Sequence, residues 1–311
     1  MLLVHLPVFY IPITFIVILR IFEKLLYAVK DKNVNVPLFT AIFISQLMYL
    51  LFFICDFVYL RLMTAGVFTS WCASVEPNKY LIALYITTYY VNYATMLFPF
   101  LVSTMRLILI AYPQNQVKIN GIVLRVTLPI IFIYPIFSTF FLFTADGYCK
   151  QINGPFPFGS IILGFQGSIY EVGEFAESFS TVALQLKNAY FLLTNNLFWG
   201  SASLINNIIL LKNLHRLKKS LSSHARSQKS YKAEVSLTLT TCSMIFSYLS
   251  SSIMVLIGQL GSNLTYYAIL IRPSVQFLKE LTYYAIMFRP FGNDLETCVC
   301  PWVFYLTHPV F

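Results

Sequence analysis

The chain has 311 residues, of which 58% are hydrophobic and only 11% are charged. A soluble protein of this length carries roughly a quarter charged residues, and so apolar a chain would expose large apolar patches in water. The formal net charge is +9, but the lysines and arginines are concentrated in short stretches between apolar runs. This pattern is typical of a multi-spanning membrane protein, and it argues against a nucleic-acid-binding protein.

Apolar runs long enough to cross a membrane recur along the chain, since a transmembrane helix needs about 20 mostly apolar residues. The first run has no basic segment before it and no small-residue cleavage site, so we predict a retained helix and not a cleaved signal peptide. We therefore predict an all-α membrane protein with one domain of seven transmembrane helices. The predicted spans cover residues 7–29, 38–60, 81–110, 121–144, 189–211, 235–260 and 291–311.

The distribution of charge predicts the orientation of the bundle. Residues 212–232 contain seven Lys or Arg and no acidic residue, and the connections at residues 30–37 and 112–120 are also basic. Residues 145–186 contain one Lys and four acidic residues. Basic connections lie on the cytoplasmic side of a membrane. We therefore predict an outer N-terminus and a cytoplasmic C-terminus.

A near-repeat lies between the last two predicted spans, where residues 264–273 read LTYYAILIRP and residues 281–290 read LTYYAIMFRP. A span here would bring Arg272, Lys279 and Glu280 near the hydrocarbon, at about 2.5–3.5 kcal/mol each. We predict that residues 261–290 form an extended outer loop with an internal duplication. An eighth span, with an outer C-terminus, is the alternative. The duplication is either a tandem repeat or an artefact of the gene model.

The sequence contains none of the motifs that indicate an enzyme or a metal site. The four histidines lie in the basic stretch or near the chain ends, and no Cys/His cluster, Gly-rich phosphate loop or nucleophile motif is present. We expect no catalytic activity, no metal and no cofactor.

Two cysteines are candidates for a disulfide. Of the six cysteines, only Cys72 and Cys149 fall in predicted outer loops, where the compartment is oxidising. A bond between them would clamp the second outer loop across the top of the third span, and two free thiols are the alternative.

Polar and aromatic residues inside the predicted spans point to a cavity. Such residues are costly in hydrocarbon, so they either line a ligand site or make interhelical hydrogen bonds worth about 0.6 kcal/mol each. The third span carries several at helical spacing on one face. The predicted ligand-binding residues are Tyr85, Tyr89, Asn92, Met96, Asn195 and Asp294.

The inner ends of the third and fifth spans carry basic residues. Arg106 could hold neighbouring helices in a resting arrangement and then meet a cytoplasmic partner, or it could only anchor its helix by snorkelling. The basic third inner loop could contact a partner protein, or it could only fix topology and bind anionic lipid. The candidate contacts are Arg106, Lys212, Arg216, Lys218 and Lys219.

Several motifs resemble one receptor superfamily. The chain departs from rhodopsin-like receptors, since Met105, Arg106 and Leu107 replace the acidic-Arg-Tyr triplet. Its last predicted span is similar to that of the nematode serpentine chemoreceptors of the Srg superfamily, near class gamma and class V. The similar motifs are the Asn-Asp-Leu at 293–295, the Pro-Trp at 301–302, the His-Pro at 308–309 and the Ala-Tyr-Pro at 111–113.

This resemblance implies a chemosensory G-protein-coupled receptor in the plasma membrane, with sensory neurons as the expected cells. An external small molecule or pheromone would bind the outer halves of the helices, and a heterotrimeric G protein would bind the inner face. A transporter or channel and a non-signalling relic of a receptor are the alternatives. The chain departs from the family pattern in two ways: it lacks a basic tail after Phe311, and it carries the duplication.

Overall fold

The fold comes from a computed structural model of the chain. The structure describes residues 2–28, 35–151, 159–167, 180–220 and 294–307, together with residues 238, 239, 241–243, 245, 246, 249 and 253. The predicted outer loop at residues 261–290, with its duplication, lies outside the described residues.

Helices make up most of the described chain. The long helices and one short one are α1 (Leu2–Ala28), α2 (Val36–Asp56), α3 (Thr69–Ser74), α4 (Lys79–Thr95), α5 (Phe98–Ala111), α6 (Gln116–Thr139) and α7 (Ser180–Ser220). A C-terminal helix covers Cys300–Thr307. One π-helical segment, Phe57–Leu62, follows α2. A second, Leu295–Val299, precedes the C-terminal helix. A 3₁₀ turn, Phe140–Leu142, follows α6.

Three helices in the described part of the chain are long and apolar enough to cross a membrane, namely Val36–Leu62, Lys79–Ala111 and Gln116–Leu142. They overlap the second, third and fourth predicted spans. The third consists of α4 and α5 in succession. Its helix is interrupted after Thr95 because Pro99 has no N–H to donate to the carbonyl group four residues earlier.

Asparagine side chains begin two of these helices. Asn78 caps α4, and its Oδ1 accepts hydrogen bonds from the backbone N–H groups of Tyr80 at 2.9 Å and Leu81 at 3.0 Å. Asn35 caps α2 by accepting from Leu38 N–H at 3.3 Å. Both caps satisfy N–H groups that have no partner within their own helix.

An antiparallel hairpin lies beside α4, and it shows that the prediction of an all-helical protein is wrong for this segment. Strands β1 (Asp146–Gln151) and β2 (Ile161–Gln166) pair with Asp146 opposite Gln166. Ile161, Leu163 and Phe165 are buried at alternate positions, which is the period of a strand. The expectation for this segment rests on its charges and on Cys149, and it overlooks the alternation. The end of the bundle that contacts the hairpin is called the hairpin end.

The bundle buries several polar and charged side chains and exposes many large apolar ones, which is unlike a soluble protein. Gln46, Asp56, Arg61 and Arg106 are each at most 5% exposed. Large apolar side chains lie on the outside, above all along α6, where Ile122, Val126, Ile130, Ile133 and Phe137 are exposed. Water would not stabilise this arrangement, whereas lipid solvates the apolar surface and drives polar groups inward.

We expect Gly147→Ala to destabilise the hairpin end. Gly147 exchanges two backbone hydrogen bonds of 3.0 Å with Asn78, and a Cβ at this position would lie 2.6 Å from Leu81 Cβ. The loss should be about 1–3 kcal/mol, the range for overpacked sites, and thermal unfolding of the detergent-purified protein would measure it. Gly200→Ala is the control, because that Cβ would meet nothing within 4 Å. Equal melting temperatures for the two variants would contradict the close packing at Gly147.

Candidate functional site

Tyr85 of α4 lies at the centre of an aromatic cluster at the hairpin end. Its ring stacks on Tyr89 at a centroid distance of 4.5 Å, and the edges of Tyr59 and Phe165 approach it at 5.4 Å each. Tyr59 belongs to the π segment after α2, and Phe165 belongs to β2. Three elements therefore contribute rings to one cluster, which we call the aromatic cluster (Tyr59, Tyr85, Tyr89 and Phe165).

The four predicted residues of the third span follow one another down the interior. Tyr85 packs in the hydrophobic core at the hairpin end, and Met96 packs in a second core deeper in the bundle. Tyr89 is half-buried and contacts both cores. Asn92 is 8% exposed and lies one helical turn before Met96. Tyr89 is thus the member of this face that links the two cores.

The hairpin covers the aromatic cluster and is attached at several points. A disulfide joins Cys72 of α3 to Cys149 of β1, with the two Cα atoms 5.7 Å apart. Lys79 Nζ donates to the carbonyl oxygens of Thr144 at 2.6 Å and Ala145 at 2.8 Å. Ser160 Oγ, just before β2, donates to Thr64 O at 2.6 Å. These bonds hold the hairpin as a fixed lid over Tyr85.

Asn195, the predicted contributor from the fifth span, joins two helices. Tyr134 of α6 donates its hydroxyl to Asn195 Oδ1, and Asn195 Nδ2 donates to Phe191 O within α7 at 2.8 Å. The ring of Phe191 in turn meets Tyr93 of α4 edge-on at 5.8 Å. Asn195 therefore connects to the face of α4 through Phe191 and Tyr93.

Asp294 lies in a buried polar network with residues of α1 and of the π segment after α2. Arg61 Nη2 forms an ion pair with Asp294 Oδ1, and the Tyr10 hydroxyl of α1 donates to Asp294 Oδ2. The Arg61 guanidinium also lies over the rings of Phe53 at 5.3 Å and Phe57 at 5.9 Å. We call Tyr10, Arg61 and Asp294 the polar triad.

Asp294 is among the predicted ligand-binding residues, whereas Tyr10 and Arg61 are not. The predicted second span ended at residue 60, which assigned Arg61 to a loop. An ionisable residue bordering a span is a functional candidate, and this signal was available for Arg61. No sequence signal pairs Tyr10 with a residue 284 positions later.

Arg106 is fully buried near the end of α5. Its Nη1 donates to Thr241 Oγ1 at 3.1 Å, and its Nη2 donates to Thr238 Oγ1 at 2.5 Å. Both threonines belong to the predicted sixth span. The burial does not fit a snorkelling arginine, because the guanidinium points into the bundle and joins α5 to another helix.

Helix α7 packs with polar as well as apolar side chains and also exposes large apolar ones. Asn206 Nδ2 donates to Thr104 Oγ1 of α5 at 2.9 Å, while the neighbouring Ile205 is exposed. The helix continues past the predicted span to Ser220. Lys212 and Arg216 are exposed on this extension. Lys218 and Lys219 lie on the same helix, but their side chains are outside the described residues.

Among the described residues, no group of three or more His, Cys, Asp or Glu side chains could hold a metal ion. The polar groups that the structure brings together are instead hydrogen-bonding and ion-pairing sets. Each joins different helices: the polar triad at the hairpin end, and Arg106 with its threonines at the opposite end of α4 and α5. This arrangement can hold helices in one packing and release them in another.

Comparison with known proteins identifies the family. The model of the family described as "Serpentine type 7TM GPCR chemoreceptor Sru" matches residues 1–311. The "Serpentine receptor class U-26" of Caenorhabditis elegans is 52% identical over 255 residues, which cover 82% of this chain and 83% of that protein. The prediction of a chemosensory receptor of the G-protein-coupled type is confirmed, and a transporter or channel is not supported. The chain belongs to the serpentine seven-transmembrane chemoreceptor family Sru.

Proposed function

We propose that this receptor binds an external small molecule at the hairpin end and activates a heterotrimeric G protein at the opposite end. One observation carries the proposal. Helices α4 and α5 follow one another across Lys79–Ala111 with a short break after Thr95, with Tyr85 in a lidded aromatic cluster and Arg106 bonded to the sixth span. At about 1.5 Å per residue these two residues are about 30 Å apart, roughly the thickness of the hydrocarbon core.

The proposed orientation has the hairpin end outside the cell, with seven spans, an outer N-terminus and a cytoplasmic C-terminus. The disulfide supports it, because disulfides persist in oxidising compartments. The exposed Lys212 and Arg216 on the extension of α7 also support it, because basic residues favour the cytoplasmic side. The proposed location is the plasma membrane of sensory neurons.

The proposed ligand site comprises Tyr85, Tyr89, Asn92 and Met96 on α4, with Asn195 and Asp294 as contributions from other helices. Tyr89 is the most direct candidate for a ligand contact, because it is half-buried between the two cores, whereas Phe165 already packs against Tyr85. A ligand that wedges against Tyr89 would press on both cores. Such a ligand activates the receptor only if it binds the active packing more tightly than the resting one.

The proposed switch at the inner end is the release of Arg106 from Thr238 and Thr241. While these hydrogen bonds exist, the sixth span is held against α5. Their loss would open a cytoplasmic cleft and free the guanidinium for the G protein. Lys212, Arg216, Lys218 and Lys219 are the proposed further contacts, and binding of anionic lipid is their other role.

The placement near class gamma and class V of the Srg superfamily is also a proposal. The motifs at residues 293–295, 301–302 and 308–309 support it. The comparison shows the family Sru and does not confirm a place in the Srg superfamily.

We expect Thr238→Val and Thr241→Val to raise agonist-free signalling. Each change keeps the shape of the side chain and removes one hydrogen bond to the Arg106 guanidinium, a class of bond worth about 1.5–3 kcal/mol. Because the removed hydrogen bond stabilises the resting state, guanine nucleotide exchange without ligand should rise by about tenfold or more. Thr87→Val is the matched control, since Thr87 is exposed and donates only to Ala83 O of its own helix. Exchange that stays at the wild-type rate in both Arg106-contact variants would refute the switch.

We expect Tyr89→Ala to weaken the response to an agonist. An agonist would first be found by screening volatile and water-soluble small molecules on cells that express the receptor with a promiscuous Gα subunit. Loss of one aromatic contact should raise the half-maximal concentration at least about tenfold, because a stacked aromatic pair and its buried area contribute about 1–3 kcal/mol. Tyr80→Ala, on the same helix but 89% exposed, is the control. Equal potency in the two variants would place the ligand away from Tyr89.

A further inference from the structure

The polar triad lies at the hairpin end and joins three separate elements. Tyr10 comes from α1, Arg61 from the π segment after α2, and Asp294 from the residue before the second π segment. Arg61 is three residues before Thr64, whose carbonyl oxygen accepts the hydrogen bond from Ser160 beside β2. Arg61 is 5% exposed and Asp294 is 7% exposed. The triad is therefore an interior contact next to the lid.

The π segment determines the direction of Arg61. In an α-helix, side chains five residues apart point about 140° away from each other. In a π-helix the hydrogen bonds join residues five apart, so these side chains stack on one face. Asp56 and Arg61 are five apart, and both are buried. An uninterrupted α-helix would point Arg61 about 140° away from Asp56, whereas in the π segment Arg61 pairs with Asp294.

Both charged members of the triad thus depend on an irregular helix. Asp294 directly precedes Leu295–Val299, and Arg61 lies within Phe57–Leu62. Such segments are rare and occur frequently at functional sites. A buried pair in a membrane stabilises a packing only while it is intact, because separation leaves each charge without its partner in a medium of low dielectric. The pair is therefore suited to act as a contact that is either made or broken.

We propose that Tyr10, Arg61 and Asp294 form a lock that holds α1, α2 and the C-terminal helix in the resting packing. This inference rests on the proposed function, and it gives Asp294 a role that differs from simple ligand contact. Both carboxylate oxygens of Asp294 accept hydrogen bonds, from Tyr10 and from Arg61. Activation separates Asp294 from Arg61, and Tyr10 and Arg61 are positioning residues that keep Asp294 in place until then.

The test measures agonist-free guanine nucleotide exchange and thermal unfolding on purified, reconstituted full-length receptor. The variants are Tyr10→Phe, Arg61→Gln, Asp294→Asn and the exchange of charges, Arg61→Asp with Asp294→Arg. Tyr10→Phe is the mildest, since it removes one hydroxyl and keeps the ring. Arg20→Gln is the control, because Arg20 pairs with Glu23 at 2.8 Å on the exposed side of α1.

The lock predicts that Arg61→Gln and Asp294→Asn each raise exchange at least threefold and lower the melting temperature. Tyr10→Phe should raise exchange by a smaller factor. The double variant with swapped charges should return both the nucleotide exchange rate and the melting temperature toward wild type. Arg20→Gln should change neither quantity. A purely structural pair would move the melting temperature but not the agonist-free exchange, and that result would overturn the lock.

The double variant could also differ from wild type as much as the single variants do, in both nucleotide exchange and melting temperature. That result would overturn the lock, because the two residues would not act through each other. Thr238→Val separates this failure from failure of the proposed function. Exchange that rises in Thr238→Val but in none of the triad variants would refute the lock alone. Exchange that is absent in every variant and with every Gα class would refute the proposed function, and the lock with it.

Discussion

Hydrocarbon offers no hydrogen bonds, and this constraint determines where every polar side chain of the bundle lies. Polar groups within the membrane are stable when they bind one another. Arg61 therefore forms an ion pair with Asp294, and Arg106 donates hydrogen bonds to two threonines. Apolar side chains experience no comparable force in lipid, so they lie on the surface as well as in the two hydrophobic cores. Polar contacts therefore join helices that also pack through the two hydrophobic cores, and the cost of breaking a buried polar contact suits it to act as a switch.

Two such contacts lie at opposite ends of the molecule, and α4 and α5 run between them. At the hairpin end, the lid places Phe165 against Tyr85, and Tyr89 continues the contact into the deeper core. At the other end, Arg106 binds the sixth span. Packed interiors move between discrete arrangements and do not deform continuously. A ligand that changes the packing at one end can therefore bias the contact at the other.

The sequence predicted the elements that depend on local composition, because a run of about 20 apolar residues identifies a membrane helix without knowledge of its neighbours. Arg106 stood out because it lies at the inner end of the third predicted span, beside motifs that resemble those of the serpentine chemoreceptors. The hairpin was missed because its alternation of Ile161, Leu163 and Phe165 is short and lies in a stretch read for charge. The π segments and the pairing of Tyr10 with Asp294 depend on contacts between distant parts of the chain, which no local pattern encodes.

The most direct test of the account is the sidedness of the chain, because ligand binding at the hairpin end and G-protein coupling at the Arg106 end require opposite sides of the membrane. An epitope tag placed after Phe311 would be stained in cells with and without permeabilisation. The account predicts staining only after permeabilisation, which fits seven spans, an outer hairpin and a cytoplasmic Arg106. Staining of intact cells would mean an eighth span or a reversed bundle, and it would contradict the assignment of the two ends.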